Sequence, residues 1–146
     1  MIFIDHNNSF EMNLVGYQFK GRNNDEFDDN WLNIEVKVSQ PNGSWSSTDP
    51  SLLTWEVARL IEWLESNGQE STEIDFIEPN IRFEFIPGNR TTLRIYFELE
   101  SRPNWAPSDV AGMDDLWADF EVTPRDLKAA ADSLRRNLEN FPERRG

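Results

Sequence analysis

The side chains that could do chemistry in this chain are overwhelmingly carboxylates, 27 Asp and Glu against 14 Lys and Arg, with one histidine and no cysteine. Glu98 with Glu100, and Asp119 with Glu121, lie two residues apart in alternating segments, which would put each pair on one face of a strand. Two acids facing a cleft are what a glycoside hydrolase needs. Among so many acids such pairs arise by chance, and the interleaved Arg82 and Arg94 favour cross-strand ion pairs on a solvated face. Those contribute a fraction of a kcal/mol to about 1 kcal/mol each. His6 stands near the start of the chain with no serine or cysteine nucleophile motif to serve, so no triad can be assembled. Asn23 to Asn30 is rich in the oxygen ligands that calcium prefers, yet it lacks the central glycine and the final glutamate of an EF-hand loop. There is no glycine-rich phosphate cradle, no histidine pair and no basic aromatic stripe. The expectation is a protein without catalytic residues, metal or cofactor.

Binding is the better-supported chemistry. The formal net charge is -13, and it is unevenly spread. Residues 123 to 146 carry a net +2, leaving -15 on the first 122 residues. The acids cluster at Asp25, Glu26, Asp28 and Asp29, between Glu62 and Glu78, and at Asp109, Asp114, Asp115, Asp119 and Glu121. A field of this sign repels nucleic acid and steers a basic protein toward the surface, although solubility alone would also account for it. Of the six tryptophans, Trp55 and Trp63 fall on a helical pattern as core or boundary residues, and Trp31 reads as core. Trp45 and Trp105 lie in Gly-, Ser- and Pro-rich segments, and Trp117 is on the polar phase of its segment. These three are equally suited to packing over the core and to anchoring a partner. The candidate partner-binding set is therefore Asp25, Glu26, Asp28, Asp29, Trp45, Trp105, Asp109, Asp114, Asp115, Trp117 and Asp119.

The elements that must position these side chains are short strands and two helices. At 146 residues the chain fits one domain, which buries roughly 70% of the surface its unfolded form exposes. Period-two alternation marks strands over Leu32–Val38, Ile81–Phe85, Leu93–Leu99 and Leu116–Val122, with further candidates at Ile2–Ile4 and Phe10–Phe19. Pro87-Gly88-Asn89 reads as a hairpin turn. Asp49-Pro50 and Thr54 are alternative starts for a helix whose Leu53, Val57, Leu60, Ile61 and Leu64 share a face and which Gly68 stops. Thr123-Pro124-Arg125-Asp126 is a cleaner helix start, followed by Leu127, Ala130, Ala131, Leu134, Leu138 and Phe141. The expected architecture is α+β: a single antiparallel sheet of about six to eight strands, with both helices on one face and Leu60, Leu64, Phe83, Ile95, Phe97 and Leu134 buried between the layers. No signal-peptide pattern or membrane-length apolar run occurs, and with no disulfides the expected location is the cytoplasm.

Three words extend this reading: Gly16-Tyr17-Gln18-Phe19, Asp28-Asp29-Asn30-Trp31-Leu32 and Phe76-Ile77-Glu78-Pro79-Asn80. Together with Trp45, Asp49-Pro50, Trp63-Leu64, the Trp105 loop and the closing Asn140-Phe141-Pro142-Glu143-Arg144, their order resembles the WapI-type immunity proteins, from about Gly16 to Arg144. The resemblance implies binding and neutralising the C-terminal domain of a cognate polymorphic toxin, by contact rather than catalysis. Such toxin domains are often nucleases. The words themselves read as scaffold, with Asn30 and Asn80 bonding nearby backbone, Pro79 fixing a turn and Gly16 marking a bulge or a close backbone approach. Neither the identity of the toxin nor the oligomeric state is legible. The alternative is a small-molecule or carbohydrate-binding domain that uses its tryptophans on a sheet face.

Overall fold

Alternation decides which side of each strand is buried, and in the computed structural model it builds two sheets over one core. Residues 1–69, 71–105 and 115–145 are described. The strands β1 (Ile2–Ile4), β2 (Ser9–Tyr17), β3 (Trp31–Gln40) and β4 (Gly43–Leu53) form one antiparallel meander in that order. A second consists of β5 (Glu73–Ile74), β6 (Ile81–Ile86), β7 (Thr92–Phe97) and β8 (Leu116–Glu121). The α+β class holds, but the single sheet is corrected to two sheets of four strands each among the described residues. The physical reason is that alternation reports a strand's wet and dry faces and is silent about its neighbours. Where β4 passes directly into a helix, pairing stops, and the strands after that helix pair with one another.

The inner faces of the sheets meet through aromatic rings. Phe10 of the first sheet lies edge-on to Phe83 of the second at 6.2 Å and 6.1 Å from Phe97, while Phe3 lies 6.0 Å from Phe120. The helices α1 (Thr54–Glu65) and α2 (Pro124–Leu138) complete the same core. Leu60, Leu64, Leu134, Phe83, Ile95 and Phe97 are all fully buried, as the pattern predicts. Each such side chain stabilises the fold by about 1.5–3 kcal/mol.

Local chemistry sets the ends of both helices. Thr54, not Asp49-Pro50, opens α1, and Glu56, itself buried, accepts the Leu53 N–H at 3.0 Å. The helix closes through Asn67 and Gly68, both left-handed at φ 55° and 77°. At Gly68 a Cβ would stand 2.5 Å from Phe85 Cδ2, so only glycine fits. Thr123 caps α2: its Oγ1 accepts the Asp126 N–H at 3.2 Å, and Asp126 accepts the Thr123 N–H at 2.9 Å.

Strand β4 is not marked by the sequence pattern, where Trp45 lies in a Gly- and Ser-rich segment and Asp49-Pro50 is one of two alternative helix starts. Its serines and threonines carry no apolar alternation. It forms because β3 offers a ladder from Gln40↔Gly43 to Trp31↔Leu53. Val15 is an extra residue in β2 opposite the Asn33–Ile34 step of β3, and Ser51 is an extra residue in β4 opposite its Leu32–Asn33 step. Gly16 therefore marks a bulge, and nothing approaches it closely. The strand expected to reach Leu99 stops at Phe97, and Leu99–Ser101 form a 3-10 turn with Leu99 at φ 50°.

Candidate functional site

The expected contact residues that are described fall in two regions, the loop between β2 and β3 and the tip of the β3–β4 hairpin with the neighbouring strand β8. At the tip of the β3–β4 hairpin, Trp45 is half-buried, edge-on to Phe97 at 5.4 Å and to Trp105 at 5.7 Å, and its Nε1 donates to the Ser101 carbonyl at 2.8 Å. Trp105 is 51% exposed. On the other side of the tip, Gln40 Nε2 donates to the Trp117 carbonyl at 2.9 Å and ties the hairpin to β8. Asp115 is exposed there, whereas Asp109 and Asp114 lie outside the described residues.

Trp117 belongs to a ladder on the outer face of the second sheet. The Arg94 guanidinium sits 4.5 Å from its ring centroid and donates twice to Asp119, at 2.8 and 3.0 Å. The Asp119 bonds push Arg94's pKa still further up, so it is always charged. One strand over, Arg82 covers the Tyr96 ring at 3.6 Å and pairs with Glu73 at 3.0 Å, while Tyr96 donates its hydroxyl to Glu84 at 2.6 Å. Burial, then that carboxylate, raises the Tyr96 pKa. This is the expected cross-strand pairing of Arg82 and Arg94. It also covers one face of each ring with a guanidinium, which weakens the case for sugar stacking there.

The carboxylate pairs do not form a hydrolytic dyad. Asp119 is held by Arg94 and Glu121 by Arg90 at 2.8 Å. Glu98 lies beyond the end of β7 and pairs with Arg102 at 3.3 Å, and Glu100 lies in the 3-10 turn rather than beside it on a strand. Among the described residues no three His, Cys, Asp or Glu side chains converge as a metal site would require.

The other acidic cluster lies in the loop between β2 and β3. Asp25 Oδ1 accepts the Phe27 and Asp28 N–H groups at 2.9 and 3.0 Å. Asp29 is 4% exposed and accepts the Asn23 N–H, so it clasps the loop from inside instead of facing a partner. Glu26 and Asp28 are exposed. Asn30 is fully buried; its Nδ2 donates to the Glu26 and Arg144 carbonyls at 2.7 and 2.9 Å, and its Oδ1 accepts from Thr54 Oγ1 at 3.0 Å and from the Arg144 N–H at 2.8 Å. The C-terminal segment straps the loop further: Tyr17 donates to the Pro142 carbonyl at 2.6 Å, and Arg144 lies 3.5 Å from the Tyr17 ring centroid. The ten residues of β3, at about 3.3 Å each, keep this loop about 30 Å from the hairpin tip. Asp25, Glu26 and Asp28 therefore do not share a patch with Asp115.

What the loop does meet was not legible in the sequence. Asp28 shares a cleft of about 380 Å³ with Asp49, Glu78 and Glu100, and Phe19, Trp31 and Leu99 line its apolar part. Trp31 is thus half-buried on a cleft wall, not in the core. The only hint lay in the three words and Asp49-Pro50, each of which contributes a lining residue.

Interior polar groups join distant segments, and Trp105, Trp117, Glu26, Asp28 and Asp115 are left on the surface. A sequence model of the Immunity protein WapI-like family matches residues 1–142, and the chain belongs to that family. Neither a curated protein nor a solved structure matches it. Among the described residues no helix is long and apolar enough to cross a membrane.

Proposed function

We propose that this chain is a single-domain bacterial immunity protein that binds and neutralises the C-terminal toxin domain of a cognate polymorphic toxin in the cytoplasm of the producing cell. It acts by stoichiometric contact, without catalysis and without a cofactor. The observation that carries the reading is the family match across residues 1–142. The net charge of -13 makes the complementary partner a basic domain, and a nuclease fits because it must itself attract a polyanion. Glu26 and Asp28 in the β2–β3 loop, and Asp115, Trp105 and Trp117 in the region of the hairpin tip and β8, are accessible to such a partner.

Co-expression tests this. Cells producing the toxin domain encoded beside this gene should survive when the chain is present, and the two proteins should co-elute in size-exclusion chromatography. Death of the cells together with separate elution would refute the reading.

A further inference from the structure

The cleft beneath the β2–β3 loop has four carboxylates and no cationic side chain in its lining, Gln18 and Trp31 being its neutral side-chain donors. Four carboxylates reach it from four separate segments: Asp28, Asp49, Glu78 and Glu100. None of them forms an ion pair among the described residues, whereas Glu73, Asp119 and Glu121 of the second sheet are matched by arginines. Behind the cleft, Asn80 is 2% exposed, and its amide is directed at two of these acids. Its Nδ2 donates to Asp49 Oδ2 at 3.0 Å, to Glu100 Oε2 at 3.3 Å and to Ser51 Oγ at 3.4 Å. The Oδ1 of the same amide is buried with no partner. One neutral amide is therefore shared between two carboxylates, which leaves both short of donors.

The shape selects the donor. The acids do not converge as metal ligands, and the cleft, at about 380 Å³, is far larger than an ion. The Phe19 ring, 39% exposed, the Leu99 side chain, 45% exposed, and the half-buried Trp31 give it an apolar wall beside the charge. A planar cation on an aliphatic stem satisfies both parts, because a guanidinium has five N–H donors for carboxylates and a face that stacks on aromatic rings. We propose that this cleft is the socket for an arginine side chain of the partner protein. The raised pKa of Asp49, caused by burial and then by Glu100, fits a site that is short of positive charge.

The inference rests on the immunity reading, and the test separates the two. The first probe is N-acetyl-arginine amide, titrated into the isotope-labelled chain with N-acetyl-glycine amide, spermidine and calcium chloride in parallel. The arginine amide should shift the Trp31 indole and the Asp49 and Glu100 amide resonances, and the glycine amide should not. Larger shifts from calcium or spermidine than from the arginine amide would overturn the assignment. The second measurement is the Kd of the toxin complex for the chain and for the Asp49→Asn/Glu100→Gln double variant, each first checked for an unreduced melting temperature. A rise of tenfold or more, with a smaller loss for Glu78→Gln, is expected. An unchanged Kd would overturn the socket while leaving the immunity function standing, and no complex even with the unaltered chain would remove the immunity reading itself.

Discussion

Replacing Asn30 by alanine tests whether one buried amide holds the acidic loop, the start of α1 and the C-terminal strap together. The side chain makes four hydrogen bonds of 2.7 to 3.0 Å, two as donor and two as acceptor. At a net value of about 0.5–1.5 kcal/mol per bond their loss would cost about 2–6 kcal/mol. The upper end is too high, because the Glu26 and Arg144 backbone groups lie next to exposed chain and can find water. Thr54 cannot, being 2% exposed, so its hydroxyl is left without an acceptor. We expect a loss of about 3 kcal/mol, which for a domain of this size lowers Tm by about 6–12 °C. Urea unfolding should show a lower midpoint with an unchanged slope. A cycle with Thr54→Val should return a coupling of about 1 kcal/mol, since the two side chains touch. A loss below about 1 kcal/mol, or no coupling, would refute Asn30 as the junction.

Two further predictions concern the cleft and the end of α1. Gly68→Ala places a methyl against Phe85, whose ring is pinned by stacking on Trp63 at 4.4 Å, and does so at a left-handed φ; the backbone and overpacking penalties together predict a loss of about 2–4 kcal/mol in chemical denaturation. Asp49 binds its proton more tightly in the folded protein than its ordinary pKa of 3.8 allows, so stability falls as pH rises from that value through the raised one, and the penalty is complete at neutral pH. Asp49→Asn should therefore melt higher than the unaltered chain at pH 7, with the gap closing as pH drops below about 4. A variant equally stable at pH 7 would contradict the strained carboxylate.

The sequence by itself determined what depends on neighbours along the chain. The alternation in Leu32–Val38 and Ile81–Phe85 set the wet and dry faces of β3 and β6, and Thr123-Pro124 with Asp126 set the start of α2, since capping is settled within four consecutive residues. The carboxylate-rich composition and the ordered words were legible too, and pointed to binding. Tertiary structure decided what depends on pairing across the chain. The Ser- and Thr-rich β4 became a strand only because β3 supplied its ladder, and it carried Asp49 to the cleft rather than into a helix cap. Asp29 was turned inward by the Asn23 N–H, and Trp31 outward to the cleft wall. Asp28, Asp49, Glu78 and Glu100 span more than 70 positions in the chain and share one cavity. No spacing rule could place them together, because what unites them is the packing of segments from both sheets around one cleft.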